Sequence, residues 1–485
     1  MLFSSLIFIF LFLPVVVILY YGIFRFSRKL QNVFLLVVSL GFYAWGEPWF
    51  VLVMIGSILL NWIFGLLVFR FRESIIQARL IITTMLLVNL GIIFIFKYLM
   101  FTLENLNRFF GSSFGVPEIM LPIGISFFTF QAISYVIDVY RGKGSPQRNP
   151  LNVGLYISFF PQLIAGPIVR YETIADQIMN RRETWTGFSE GATRFLIGFL
   201  KKVLLANNFA LLADKAFSIP ADEISFSFAW FGAICYTLQI YYDFSGYSDM
   251  AIGLGRMFGF RFPENFNYPY ISRSTSEFWR RWHISLGSWF RDYVYFPLGG
   301  SRVNSRKRIV FNLLVVWFLT GLWHGANWTF ILWGLLYFVS ISVEKLTGFE
   351  RLELRNHPFL TVAMKHLYTM LLVVFGWVLF RSENLTYAAQ YLSAMLGLSS
   401  GSAAFGAAWV YALENWAFLI AGICFSMPVA PALRRWFTRN RREPILQKMI
   451  IPGQIAFGLT VTGLFLIGVT YLVKGSYNPF IYFNF

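Results

Sequence analysis

Two of the four histidines in this chain stand in motifs where residue type and spacing could support chemistry. His283 lies in the block Phe278-Trp279-Arg280-Arg281-Trp282-His283-Ile284-Ser285, and His324 in Gly321-Leu322-Trp323-His324-Gly325-Ala326-Asn327-Trp328. Imidazole is the side chain whose ordinary pKa suits proton transfer near neutrality. His324 ends the apolar run Ile309 to Trp323, fifteen residues or about 22 Å at ~1.5 Å per residue, which places it at depth in a hydrocarbon layer ~30 Å thick. An ionisable group at such depth is a functional-site hypothesis by default. Gly321 and Gly325 beside it let backbone or ligand come close. On this reading His324 is a general base or a covalent relay of the transferred group, with Trp323 and Asn327 orienting the ring or shaping the pocket. For His283 a packing role stands beside the catalytic one, since helical spacing puts it with Trp279, Leu286 and Phe290. Trp282 and Ser285 share its block. His357 and His366 look incidental.

The elements that must position these residues are membrane elements. Hydrophobic residues make up 57% of the chain and charged residues 13%, far from the balance of a soluble domain. The net charge of +17 is carried by clusters between apolar runs, Arg25/Arg28/Lys29, Arg70/Arg72/Arg79, Arg141/Lys143/Arg148, Arg302/Arg306/Lys307/Arg308 and Arg434 to Arg442. That is the positive-inside pattern, with the N-terminus outside and contact with anionic lipid at the loops; it excludes nucleic acid as the partner. Cys235 and Cys424 lie in apolar runs, and no zinc, P-loop or redox motif is present, so no metal is expected.

Apolar segments of spanning length fall at about 1–24, 31–46, 48–69, 80–101, 121–140, 226–242, 328–344, 359–380, 408–430 and 452–473, with the shorter run 309–323 ending inside the membrane. They predict an all-α integral membrane protein, a bundle of about 11–12 transmembrane helices with interfacial or re-entrant pieces. In the 121–140 span, Gln131, Tyr135 and Asp138 recur at helical spacing and share a face. That face serves interhelical hydrogen bonding or lines a substrate path. Pro161, Gly166 and Pro167 make the segment around Gln162 a broken or re-entrant one. Residues 191–217 read either as an interface helix or as a poor span. Asp243, Ser245, Ser248 and Asp249 form a polar group at a membrane boundary. Ser274 to Tyr295 is composed like a helix lying in the interface.

Together the two histidine motifs resemble those of the membrane-bound O-acyltransferase family, closest to its bacterial alginate-type branch. Supporting blocks are Leu121–Ser126, Ile137–Gly142, Leu163–Pro167, Tyr242–Gly255, Glu264–Ser272 and Gly376–Arg381. The resemblance implies one membrane-embedded domain over 1–485, with a core at about 121–381, N-terminal helices within 1–101 and C-terminal helices within 408–473, around a central funnel or tunnel. It implies that the family's essential histidine matches His324 and its second, more variable position His283. The substrate path would be lined by Trp323, Asn327, Gln131, Tyr135, Asp138, Gln162, Ser245, Asp249, Trp282 and Ser285.

The same resemblance implies a function in the bacterial inner membrane. An acetyl or other acyl group would pass from a cytoplasmic donor, acetyl-CoA or an acyl carrier, across the membrane to an exported polysaccharide such as alginate. Periplasmic acetyltransferase partners would complete the transfer, and no bound cofactor is expected. Peptidoglycan, cellulose and teichoic acid are alternative acceptors. A flippase for an acylated carrier is the alternative from another class.

Overall fold

A computed structural model describes residues 1–352, 357–440, 444–475 and 477–481. Arg441 and Arg442 of the last basic cluster lie outside the described residues. Among the described residues the regular structure is helical, and the only strand-like feature is an isolated bridge between Ile224 and Ala403. Among the described residues, six helices are long and apolar enough to cross a membrane, or up to seven if a bent pair counts as one span. The other expected spans are present as helices that are shorter or more polar, such as Phe8–Gly22, Arg28–Ala44 and Ile125–Tyr140. The expected span at 408–430 is not straight: Ala407–Glu414 and Trp416–Ser426 meet at 75°.

The chain forms two compact units, one holding Met1–Phe195 and Tyr247–Glu264, the other Leu196–Gly246 and Asn265–Ile481. In the first, the Ile125–Tyr140 helix packs against Phe50–Arg70 and Ile75–Ile93. Asn61 and Asn89 exchange side-chain hydrogen bonds of 3.0 Å between the latter two helices, the pairing that buried amides require in lipid. After Ser158 the helix Pro150–Ser158 gives way to buried irregular backbone through Val169. The break follows from its sequence, because Pro161 and Pro167 cannot continue a helix and a Cβ at Gly166 would sit 2.6 Å from the Gln162 Cα.

In the second unit, the Arg306–His324 and Trp328–Thr347 helices pack as an antiparallel pair. Their close contact depends on Gly321, where a Cβ would lie 2.6 Å from the Phe330 carbonyl oxygen. Pro358–Arg381 packs on Trp328–Thr347, and its Phe380 ring meets that of His324. The charged 274–295 stretch is not the single interfacial helix its composition predicts. It is two short helices, Thr275–Arg281 and Ile284–Phe290, interrupted at Trp282 and His283.

The 191–217 stretch is part of a continuous, span-length helix, Trp185–Phe217. Its Lys202 is buried in an ion pair with Asp243, 2.5 Å apart, with both side chains 2% exposed. Lys202 also donates to the Pro479 carbonyl, and Asp243 Oδ2 accepts the Ile481 N–H at 2.9 Å. The pair therefore fastens the backbone at 479–481.

Candidate active site

His324 is the last residue of its helix, and Gly325 leaves in extended conformation. Its imidazole is 6% exposed. Three rings meet it nearly perpendicularly: Trp323 at 4.8 Å, Trp333 at 4.8 Å and Phe380 at 5.0 Å between centroids. The surroundings are aromatic and of low dielectric, where polar interactions gain strength and unmet ones are costly. Protein atoms stand close to both flanking glycines. Gly321 admits the neighbouring helix and Gly325 the Phe330 ring.

His283 carries left-handed backbone, φ 44° and ψ 52°, a conformation that costs an L-residue ~1–2 kcal/mol. Asn265 holds it there. The Asn265 backbone carbonyl accepts the Ile284 N–H at 2.9 Å. Its side-chain oxygen accepts the Ser285 N–H at 3.1 Å, the Ser285 hydroxyl at 2.9 Å, and His283 Nδ1 at 3.2 Å. An atom that accepts a backbone N–H is an oxygen, so His283 Nδ1 must carry the proton and Nε2 the lone pair. Nε2 has no hydrogen-bond partner among the described residues. Burial pushes the His283 pKa down to about 3, so the ring is neutral at physiological pH. The Phe244 ring lies at 4.5 Å and that of Trp323 at 5.9 Å. Trp323 thus stands within ring-contact distance of both histidines.

The Thr275–Arg281 helix that leads into His283 is fixed at its start. Ser274 Oγ accepts the Glu277 N–H at 2.9 Å, an N-cap bond, and the Glu277 carboxylate reaches back to the Arg273 N–H at 2.9 Å. Glu344, in the last turn of Trp328–Thr347, accepts the N–H groups of Thr275 at 2.6 Å and Ser276 at 2.9 Å. Asn265 and Glu344 hold the backbone around His283, supports that periodicity did not reveal. For Asn265 the only sequence signal was the block Glu264–Ser272.

The remaining expected residues divide. Trp282 is buried and packs on Trp377 at 4.8 Å. Ser245 is buried in the same unit as the histidines, and its hydroxyl has no partner among the described residues. Asn327 does not turn its amide to His324. It caps the next helix by accepting the Thr329 N–H at 3.0 Å, and it donates to the Glu383 carbonyl at 2.8 Å. His366 bonds the Ser272 carbonyl at 3.0 Å, a structural role.

Gln131, Tyr135, Asp138, Gln162 and Asp249 belong to the other unit. Tyr135 accepts the Gln147 N–H at 3.2 Å and Asp138 the Glu172 N–H at 3.0 Å, so two members of that stripe hold a loop. Both amide atoms of Gln131 are buried with no partner among the described residues. Gln162 donates to the Tyr156 carbonyl while its oxygen has no such partner. Asp249 is ion-paired with Arg194 at 2.8 Å. No group of three or more metal-ligating side chains occurs among the described residues.

These features define a multi-pass membrane protein with a histidine centre enclosed by aromatic rings. Comparison with known proteins carries the identification further. A profile of the membrane-bound O-acyltransferase family matches residues 147–386. The chain is 40% identical to a probable alginate O-acetylase of Pseudomonas putida, with 100% of both chains covered. It is 44% identical to the Pseudomonas aeruginosa protein of the same description, over 82% of this chain and 76% of the relative. A Helicobacter pylori peptidoglycan O-acetyltransferase is 36% identical over 83% and 81% of the two chains. The chain belongs to the membrane-bound O-acyltransferase family. It is an O-acyltransferase, and the flippase alternative falls away.

Proposed function

We propose that the protein passes an acetyl group across the membrane for O-acetylation of an exported polysaccharide of the alginate type, with periplasmic partners completing the transfer, and uses His324 as the general base. The observation that carries this reading is the caged His324 sharing Trp323 with a neutral, oriented His283. In the transfer, His324 takes the proton of the acceptor hydroxyl as its oxygen bonds to the acyl carbon. The bond from that carbon to the donor's sulfur breaks, and the proton passes to the leaving thiolate. With its pKa pushed by burial down to about 3, His283 is neutral at pH 7. It is suited to accept a hydrogen bond at Nε2 and so orient the hydroxyl, and the proton-carrying step is left to His324.

The basic clusters support a cytoplasmic donor side and a periplasmic N-terminus in the bacterial inner membrane. Acetyl-CoA or an acyl carrier would supply the acyl group there, and periplasmic acetyltransferase partners would receive it. The relatives described as alginate O-acetylases support the acceptor class. Purified protein given labelled acetyl-CoA tests the chemistry directly. Acetyl release or exchange by the wild type and its loss in His324→Ala are expected. Equal turnover by the two proteins would remove His324 from the mechanism.

A further inference from the structure

The unit that holds both histidines also has a cleft of about 300 Å³ on its charged end, lined in part by Arg273, Arg280, Lys365, Glu277 and Glu350. That volume is at the lower end of ligand pockets, ~300–1,000 Å³. Its two carboxylates are already engaged. Glu277 pairs with Arg281 at 2.9 Å and accepts the Arg273 backbone N–H at 2.9 Å. Glu350 pairs with Arg280 at 2.9 Å.

One cation has no counter-ion among the described residues and a second is only partly engaged, since the Lys365 ammonium also acts on the Glu350 carboxylate and lies 5.5 Å from the Phe349 ring centre. The Arg273 guanidinium makes no ion pair among the described residues. Lys365 donates to the Glu350 backbone carbonyl at 3.1 Å, which uses one of its three N–H bonds. Pro358 and Thr361, from the first turn of the 24-residue Pro358–Arg381 helix, also line the cleft. A helix start adds unpaired backbone donors and the positive end of its dipole. Surplus guanidinium, ammonium and a helix N-terminus around one cavity are the elements of a phosphate site.

Its position fits the same ligand. The Trp328–Thr347 helix ends at this side of the unit, where Lys345 reaches the Ser301 hydroxyl at 2.9 Å, beside the basic run Arg302 to Arg308. The Thr275–Arg281 helix forms a wall, with Ser274, Glu277 and Arg280 toward the cleft and Phe278 packed on Trp282, next to His283.

We propose that this cleft binds a phosphate group, with Arg273 and Lys365 as its principal ligands. Two sources carry that chemistry at a basic membrane face: the nucleotide phosphates of coenzyme A, and the headgroup of an anionic phospholipid. The test uses the full chain in two forms. Coenzyme A is titrated into protein held in phosphatidylcholine nanodiscs, and short-chain phosphatidylglycerol into protein in neutral detergent. The double variant Arg273→Gln/Lys365→Gln is compared with wild type, and thermal melting verifies that each protein is folded.

Loss of two charge-assisted contacts should weaken the genuine ligand about 10–100-fold and flatten its salt dependence. An effect in the coenzyme A arm alone assigns the cleft to the nucleotide, and an effect in the lipid arm alone to the headgroup. Unchanged binding of both probes, or no binding of either by wild type, overturns the proposal. Should the double variant melt early, Arg273→Gln alone, at an exposed position, is expected to weaken binding about 10-fold. His324→Ala should bind as wild type does. Failure of the catalytic reading would therefore appear in turnover and leave this binding unchanged.

Discussion

The side-chain oxygen of Asn265 accepts a hydrogen bond from His283 Nδ1 at 3.2 Å, and it also accepts the Ser285 N–H and hydroxyl. One amide thereby fixes the tautomer of a buried imidazole and closes the turn that holds its backbone at positive φ. Replacing Asn265 by Ala leaves the Ser285 donors and His283 Nδ1 without that acceptor, and each buried unmet group costs ~1–3 kcal/mol. Asn265→Ala should lower both the melting temperature and transfer activity, while Ser285→Ala, which removes one donor together with its need, should have a smaller effect. Melting and acetyl-transfer rates of the two variants check this. Equal effects would show that Asn265 acts only as a spacer.

The depressed His283 pKa sets a pH dependence of stability. The native ring takes up a proton only near pH 3, whereas the unfolded ring does so near ~6.5. Between these values the unfolded chain binds more protons, so stability falls as pH drops from about 6.5 toward 3 and levels off below. Melting of wild type and His283→Gln in the same detergent across this range should show a shallower slope for the variant. Parallel slopes would mean that other groups dominate.

The buried Lys202–Asp243 pair fastens residues 479–481. Lys202→Met strands a buried carboxylate and should cost about 3–5 kcal/mol. Lys202→Met/Asp243→Asn removes both charges and should recover much of that loss. Melting temperatures of the two variants measure it, and a double variant no better than the single one would contradict the pairing.

Gly321 sits where a Cβ would meet the Phe330 carbonyl at 2.6 Å. Gly321→Ala should therefore push apart the two helices that shape the His324 cage, at about 1–3 kcal/mol. Activity should fall more than stability, because the cage geometry depends on that contact. A variant with wild-type activity would mean that the cage tolerates the displacement.

Much of the helical architecture was legible because apolar runs of spanning length have few other outcomes. The broken segment around Gln162 was legible from its prolines. Local composition misled where tertiary contacts decide. Ser274 to Tyr295 reads as one amphipathic helix, yet Asn265 captures the backbone N–H groups of Ile284 and Ser285 and the helix breaks at His283. Lys202 reads as a defect in a span because its partner, Asp243, is distant in sequence. Asn327, beside His324 in the motif, is used as a helix cap, a role that Asn followed by Trp328-Thr329 at a helix start already suggests.

The central claim is that His324 is the base for acyl transfer. The O-acetyl content of the exported polysaccharide, compared between wild type and His324→Ala at matched membrane levels, tests it most directly. The account predicts a loss of about 10²–10⁴-fold in the transfer rate, seen as unacetylated polymer exported in normal amounts. Acetylation persisting at wild-type levels would contradict it and make His324 a packing residue of the aromatic cage.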